Sequence, residues 1–405
     1  MPAYARREIV DEGRVGIYHC IARCVRRAFL CGVDSYTGHD YSHRKDWILE
    51  RLRDLAGLFS IEICNYGVMS NHLHLVLRTR PDLAEGWSDE EVALRWCQVF
   101  PPRDEATGER VEPGKHDVAM VLADHERVLE LRKRLASLSW FMRCLCEPIA
   151  RRANTEDRTA GRFWAGRFRS VALLDEAAIL ACGIYVDLNP IRAGLAATPE
   201  ESPYTSGYDR IRSVDHGCAG PLSSSEHDSV TACERPDSWL CELTLPERPV
   251  ESGCAGPECA VGTAEQLTAI AGPSDADVPS ATAVADSPCR SAATEQVAAR
   301  ADSKRPFGPR ASNQGFLPIE IEHYVMLLDW TGRELRADKR GAIPDGLAPI
   351  LERLGVNRSN WFDTVREFGR MFKRAAGRSS SLVAAAAARS RRWFQGKPAA
   401  RAAFL

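Results

Sequence analysis

The stretch from Ile61 to Leu77 limits this chain more than any other. It is β-branched, aromatic or apolar at most positions, and it carries His72-Leu73-His74. That composition favours a strand over a helix. Side chains two apart on a strand leave the same face, with about 6.5 Å between their Cα atoms. His72 and His74 therefore stand side by side, while Leu73 and Leu75 turn back toward a core. Two imidazoles so held can chelate one divalent cation and leave positions open for a substrate phosphate. A histidine on a strand is equally served by a hydrogen-bonded place in the core, so the pair needs support from elsewhere in the chain.

A second element reads Gly183-Ile184-Tyr185-Val186-Asp187-Leu188-Asn189-Pro190-Ile191-Arg192. Asp175-Glu176 ahead of Ala177-Ala178-Ile179-Leu180 is a helix start, acidic in its first turn. On a continuous helix Tyr185 and Asn189 share a face, so a phenol and a carboxamide reach one spot. Pro190 works against this, because the residue before proline is biased away from helical angles. A buried tyrosine followed by an Asn-Pro helix stop is the plainer reading.

Further motifs follow the same order along the chain: Tyr18-His19-Cys20-Ile21-Ala22-Arg23 with Phe29 after it, then Trp140-Phe141-Met142-Arg143 and Arg151-Arg152-Ala153-Asn154. Gly161-Arg162-Phe163-Trp164-Ala165-Gly166-Arg167-Phe168-Arg169-Ser170 and Pro203-Tyr204-Thr205-Ser206 come next. With the two elements above, they resemble the HUH-type single-tyrosine transposases, in the branch associated with repetitive extragenic palindromes (insertion-sequence 200-like). The likeness runs over roughly residues 10 to 212. Ser70 departs from it, standing where many relatives have proline.

The resemblance implies that His72, His74 and Asn189 hold Mg²⁺ or Mn²⁺ and that Tyr185 attacks a phosphodiester in single-stranded DNA. A covalent 5′-phosphotyrosine forms, a 3′-OH is released, and reversal rejoins strands. It also implies a substrate flanked by a hairpin or palindrome. In some relatives tyrosine helices exchange across a dimer, which leaves monomer and homodimer both open. Phenols have a pKa of about 10 and are weak nucleophiles at neutral pH. A cation on a non-bridging oxygen offsets the charge that builds in the transition state. Two other readings stand beside this one: a domesticated DNA-binding protein that no longer cleaves, and a metal-stabilised α+β binding module.

Total charge is uninformative, at −2 with a pI near 6.6, but its distribution is not. Residues 81–130 hold 13 Asp/Glu against 5 Lys/Arg, which excludes them as a nucleic-acid surface. We read this acidic insertion as a loop followed by a helix from near Asp117. Residues 131–170 hold 10 Lys/Arg against 3 Asp/Glu. Arg162, Arg167 and Arg169 alternate there with Phe163, Trp164 and Phe168, so arginines could grip phosphates while rings stack on unpaired bases. The alternative is that the rings belong to the core. Arg23 and Arg192, beside the two site elements, complete the expected DNA contacts.

No run of 18 apolar residues is present, so no transmembrane helix and no membrane partner is expected. No apolar signal segment opens the chain. Fourteen cysteines without such a segment suit reduced thiols, and their spacings match no zinc motif. A bacterial cytoplasmic protein, on the nucleoid when bound to DNA, is the expectation. Residues 215–312 are dense in Ser, Ala, Gly, Pro and acid, repeat Gly-Cys-Ala-Gly-Pro at 217 and 253, and read as a disordered linker with short helices around Glu265 to Ile270. Residues 313–405 read as a small all-α module with helices at His323–Trp330 (ended by Thr331-Gly332), Leu347–Leu354 and Trp361–Ala375. Its end is basic, with 10 Lys/Arg and 1 Glu from Thr364 onward. It would bind a hairpin or duplex flank, or serve packing and oligomerisation.

The expected fold of residues 1–214 is α+β: a ferredoxin-like antiparallel sheet of the HUH nuclease kind, with helices on one face and the metal on the open face.

Overall fold

The computed structural model describes residues 8–25, 30–34, 38–215, 235–244, 307–336, 347–390 and 394–405. Phe29 and the segment Glu265 to Ile270 lie outside them. Residues 1–245 and 307–405 form one compact unit.

The chain runs β1 (Gly16–Arg23), α1 (Arg44–Ala56), β2 (Ile61–Val68) and β3 (His72–Thr79). Helices α2 (Pro81–Glu85), α3 (Asp89–Val99), α4 (Lys115–Leu122), α5 (His125–Leu135) and α6 (Leu138–Glu156) follow. Then come β4 (Arg169–Leu173), α7 (Glu176–Asp187), α8 (Asn189–Arg192) and α9 (Ser206–Asp215). The C-terminal part adds α10 (Ile321–Arg336), α11 (Ala348–Arg353), α12 (Trp361–Met371), β5 (Ala375–Ala376), α13 (Ser379–Ala388) and α14 (Lys397–Ala403). The sheet order is β2-β3-β1-β4-β5. The first four strands pair antiparallel, and β5 joins β4 in parallel.

Register decides which side chains share a face. Opposite one another on β1 and β3 are Arg23 and His72, Ile21 and His74, His19 and Val76, and Ile21 meets Arg169 of β4. These alternate with Tyr18, Cys20, Ala22, Leu73, Leu75 and Leu77, all buried. A bulge between Ile63 and Asn65 leaves Asn65 on the histidine face and Tyr66 on the other. Asn65 meets Asp187 of α7 and Tyr324 of α10, whereas Tyr66 meets Trp239, which lies under Arg53 of α1. Helices therefore cover both faces, and β2 is buried along its whole length. The expected open face is closed by α7 and by the C-terminal helices.

Three further expectations change. The acidic insertion is largely helical: α3 starts where the Ser88 side chain accepts from the Glu91 backbone N–H, buries Val92 and Ala93, and turns its carboxylates outward. Averaged over the whole segment, the charge hid that apolar stripe. Part of the expected linker is packed core: Trp239, Leu240, Cys241 and Leu243 are buried, and the Cys241 N–H donates to the Ile63 carbonyl at 2.9 Å. Helix α10 runs past Thr331-Gly332 to Arg336. Thr331 Oγ1 donates to the Leu327 carbonyl and accepts from Trp361 Nε1 at 3.0 Å. A Cβ on Gly332 would lie 3.2 Å from Leu188, so the glycine serves a close helix approach.

Among the described residues no helix is long and apolar enough to cross a membrane, and nine cysteines are free thiols.

Candidate functional site

His72 and His74 leave β3 on one face with ring centroids 4.7 Å apart. Across the sheet, His19 Nε2 lies 2.9 Å from His74 Nδ1, and the two rings stack at 5.1 Å. His72 Nδ1 lies 2.6 Å from Asn71 Oδ1. An amide oxygen only accepts, so His72 Nδ1 carries the proton and Nε2 keeps its lone pair. His74 Nε2 is buried with no protein partner. It carries a lone pair when Nδ1–H donates to His19.

Helix α7 brings Tyr185 over this face. Asp175 caps it, accepting from Ala178 N–H at 3.0 Å and from the Arg378 N–H of the C-terminal part at 2.6 Å. At its other end Asp187 is buried. Tyr324 Oη donates to it at 2.7 Å, Asn65 Nδ2 at 3.1 Å, and Ser206 Oγ also donates. With both ends pinned, the Tyr185 ring stands 5.6 Å from His74 and 5.8 Å from His19, edge-on to each. Phe368 of α12 packs on it at 5.8 Å, and Arg192 stands 4.7 Å over the ring. Tyr185 is 9% exposed.

Burial, with Arg169 and His72 adding repulsion, pushes His19 down to about 3. Burial and Arg23 push His72 down to about 4. Burial, His19, His72 and Arg192 hold His74 well below the usual histidine value. All three imidazoles are neutral at pH 7, the form that donates a lone pair to a metal.

A cavity of about 820 Å³ opens on this cluster. Of the residues expected from the sequence, Tyr185, His72, His74, Arg23, Arg167, Arg169 and Arg192 all line it. Arg162 is exposed and does not. Asn189 does not line it either: α7 ends at Asp187, and Asn189 opens the separate turn α8 ahead of Pro190. Its Oδ1 accepts from Arg192 Nη1 at 3.4 Å, and its Nδ2 is buried without a partner. Phe163 is buried in the core, and Trp164 is half-buried with its Nε1 donating to the Cys146 carbonyl of α6 at 2.8 Å; neither lines the cavity. Among the described residues no group of three or more His, Cys, Asp or Glu is placed to hold a metal; the two imidazoles are the donors at hand.

Sequence reasoning passed over His19, Asn71, Arg366, Gly369 and Arg370. His19 lies in the motif Tyr18-His19-Cys20-Ile21-Ala22-Arg23, and its alternation with Ile21 is a usable signal. Nothing local marks the α12 residues, which reach the cavity only through tertiary packing.

No family model matches the chain, and no curated protein does. A solved structure described as "Structure of the REP associates tyrosine transposase bound to a REP hairpin" is similar at a TM-score of 0.30 and 14% identity. The match covers 58% of this chain and 98% of that one.

Proposed function

We propose that this chain is a metal-dependent DNA strand-transfer enzyme that cuts and rejoins single-stranded DNA beside hairpins through a covalent 5′-phosphotyrosine on Tyr185. One observation carries the reading: the phenol of Tyr185 lies against His74 in a cavity that His72 and four of the five expected arginines also line. The sequence motifs resembling the HUH-type single-tyrosine transposases agree with it.

His72 and His74 would hold Mg²⁺ or Mn²⁺ through their Nε2 atoms, and the unpartnered Nε2 of His74 is suited to that role. A bound divalent ion supplies Lewis-acid polarisation of the phosphodiester. Tyr185 Oη forms the new bond to phosphorus, the bond from phosphorus to O3′ breaks, and the leaving 3′ oxygen ends as a hydroxyl. Arg192, Arg23, Arg167 and Arg169 offset phosphate charge on the way. The reverse attack by the 3′-OH restores the strand without ATP, since the phosphotyrosine conserves the bond energy.

A second reading, a DNA-binding protein on the same fold that does not cleave, draws on the burial of Tyr185 beneath Phe368. Incubating the full chain with a labelled single-stranded hairpin oligonucleotide and Mn²⁺ separates the two. The first reading expects a covalent adduct that survives denaturation and vanishes in Tyr185→Phe, with His72→Ala or His74→Ala also abolishing it while binding persists. Binding with no adduct from the unaltered chain leaves the second reading; absence of both sinks the two together.

A further inference from the structure

Helix α12, from the C-terminal part of the chain, forms one wall of the cavity through Arg366, Glu367, Gly369 and Arg370. It is held there by firm contacts. Phe368 lies 6.5 Å from His19 and 5.8 Å from Tyr185, and the Arg366 carbonyl accepts from Arg192 Nη2. The parallel pairing of β5 with β4 follows directly after it. The cavity thus carries six arginines: Arg23, Arg167, Arg169, Arg192, Arg366 and Arg370. All six are exposed side chains.

Against them stands a single lining carboxylate, Glu367, whose Oε2 pairs with Arg370 Nη1 at 3.0 Å, with Arg370 84% exposed. A pair that open to water is weak and yields readily to a phosphate. Among the described residues no hydrogen bond or ion pair is seen on the side chains of Arg23, Arg167, Arg169 or Arg366. The crowding of like charge reaches Lys373, whose ammonium is held below its ordinary value by burial and by Arg169 and Arg370. Six arginines around one cavity, opposed by one weakly held carboxylate, give it a positive potential suited to phosphate.

We propose that α12 is part of the nucleic-acid surface, with Arg366 and Arg370 binding phosphates of the strand laid across Tyr185. The inference rests on the DNA reading of this cavity and holds for both the cleaving and the non-cleaving form. The sequence sets this basic segment apart as a module for a hairpin or duplex flank, or for packing and oligomerisation; its place in the cavity points instead to the single strand beside Tyr185.

The test is the salt dependence of affinity for a single-stranded oligonucleotide, measured on the full chain in EDTA so that no strand is cut. Each phosphate contact to a single strand contributes about 0.7 to the slope of log K against log salt. Arg366→Gln with Arg370→Gln should lower the slope by about 1.4 and weaken binding about tenfold or more at 0.1 M salt. Arg333→Gln with Arg358→Gln removes the same charge from residues outside the cavity lining and should leave the slope unchanged. If the double variant fails to fold, the single variants carry the test at about 0.7 each. An unchanged slope with adduct formation intact overturns this inference alone. Equal losses in both pairs also overturn it, since net charge would then explain them. A chain that binds no DNA overturns the inference and the proposed function together.

Discussion

Gly369 is the residue on which α12 and Tyr185, the proposed nucleophile, meet. A Cβ there would stand 2.7 Å from Tyr185 Oη and 3.3 Å from its Cζ, closer than packed atoms sit. Alanine would otherwise favour the helix by about 1 kcal/mol, so a functional loss in Gly369→Ala cannot come from a weakened helix. The helix gain offsets part of the overpacking cost, so we expect this variant to stay folded, to keep its DNA affinity in EDTA within about twofold, and to form the Tyr185 adduct at least about tenfold more slowly. Quantified adduct yield over time checks it. An unchanged rate would mean that α12 stands away from Tyr185 during the reaction. His19 is a comparable case at the same scale. Alternation with Ile21 puts it on the same face of β1, and its partnership with His74 follows from the register of β1 on β3.

Among the elements, α7 and β2 show how the site is held. A run of buried residues leaves α7 nearly featureless as an amphipathic helix, so its position comes from its ends: Asp175 at the start, Asp187 at the finish. A related bond joins α9 to β2, where Tyr66 Oη donates to Asp209 at 2.9 Å. Burial pushes the Asp209 carboxyl up to about 6 even though the Tyr66 bond and Arg53 act the other way. The folded state therefore binds this proton more tightly than the unfolded state. Its contribution to stability is fully present below about pH 4 and is lost as pH rises through about 6, by roughly 1.4 kcal/mol for each tenfold difference in proton affinity between the two states. Asp209→Asn should flatten the urea-midpoint profile between about pH 4 and pH 6. Identical profiles for the two proteins would place the origin of that slope elsewhere.

At the scale of the molecule, the C-terminal part is built into the fold. Trp361, Phe368, Tyr324 and Leu328 belong to the same buried cluster as Tyr185, Val76 and Leu188, and β5 lengthens the sheet that carries the histidines. Calorimetry should therefore record a single cooperative transition for residues 1–245 and 307–405, where a separate module would give two. A chain ending at Leu245 would uncover the apolar side of α7 and is expected to aggregate or to melt without cooperativity. A soluble, sharply melting fragment would contradict that expectation.

The α+β class, the strand pair bearing His72 and His74, the helix bearing Tyr185 and four of the arginines around them were all legible locally. Alternation on a strand and capping of a helix are short-range consequences of backbone geometry. Asn189 stands outside the cavity lining because the helix breaks ahead of Pro190 and Asn189 opens a separate turn, a local cost that only the folded backbone resolves. What covers the histidine face, which of the motif aromatics are core, and the entry of Arg366, Gly369 and Arg370 into the cavity were decided by packing between segments far apart in the chain. Such contacts leave no periodic trace, since a basic helix end looks the same whether it lies in solvent or closes an active site.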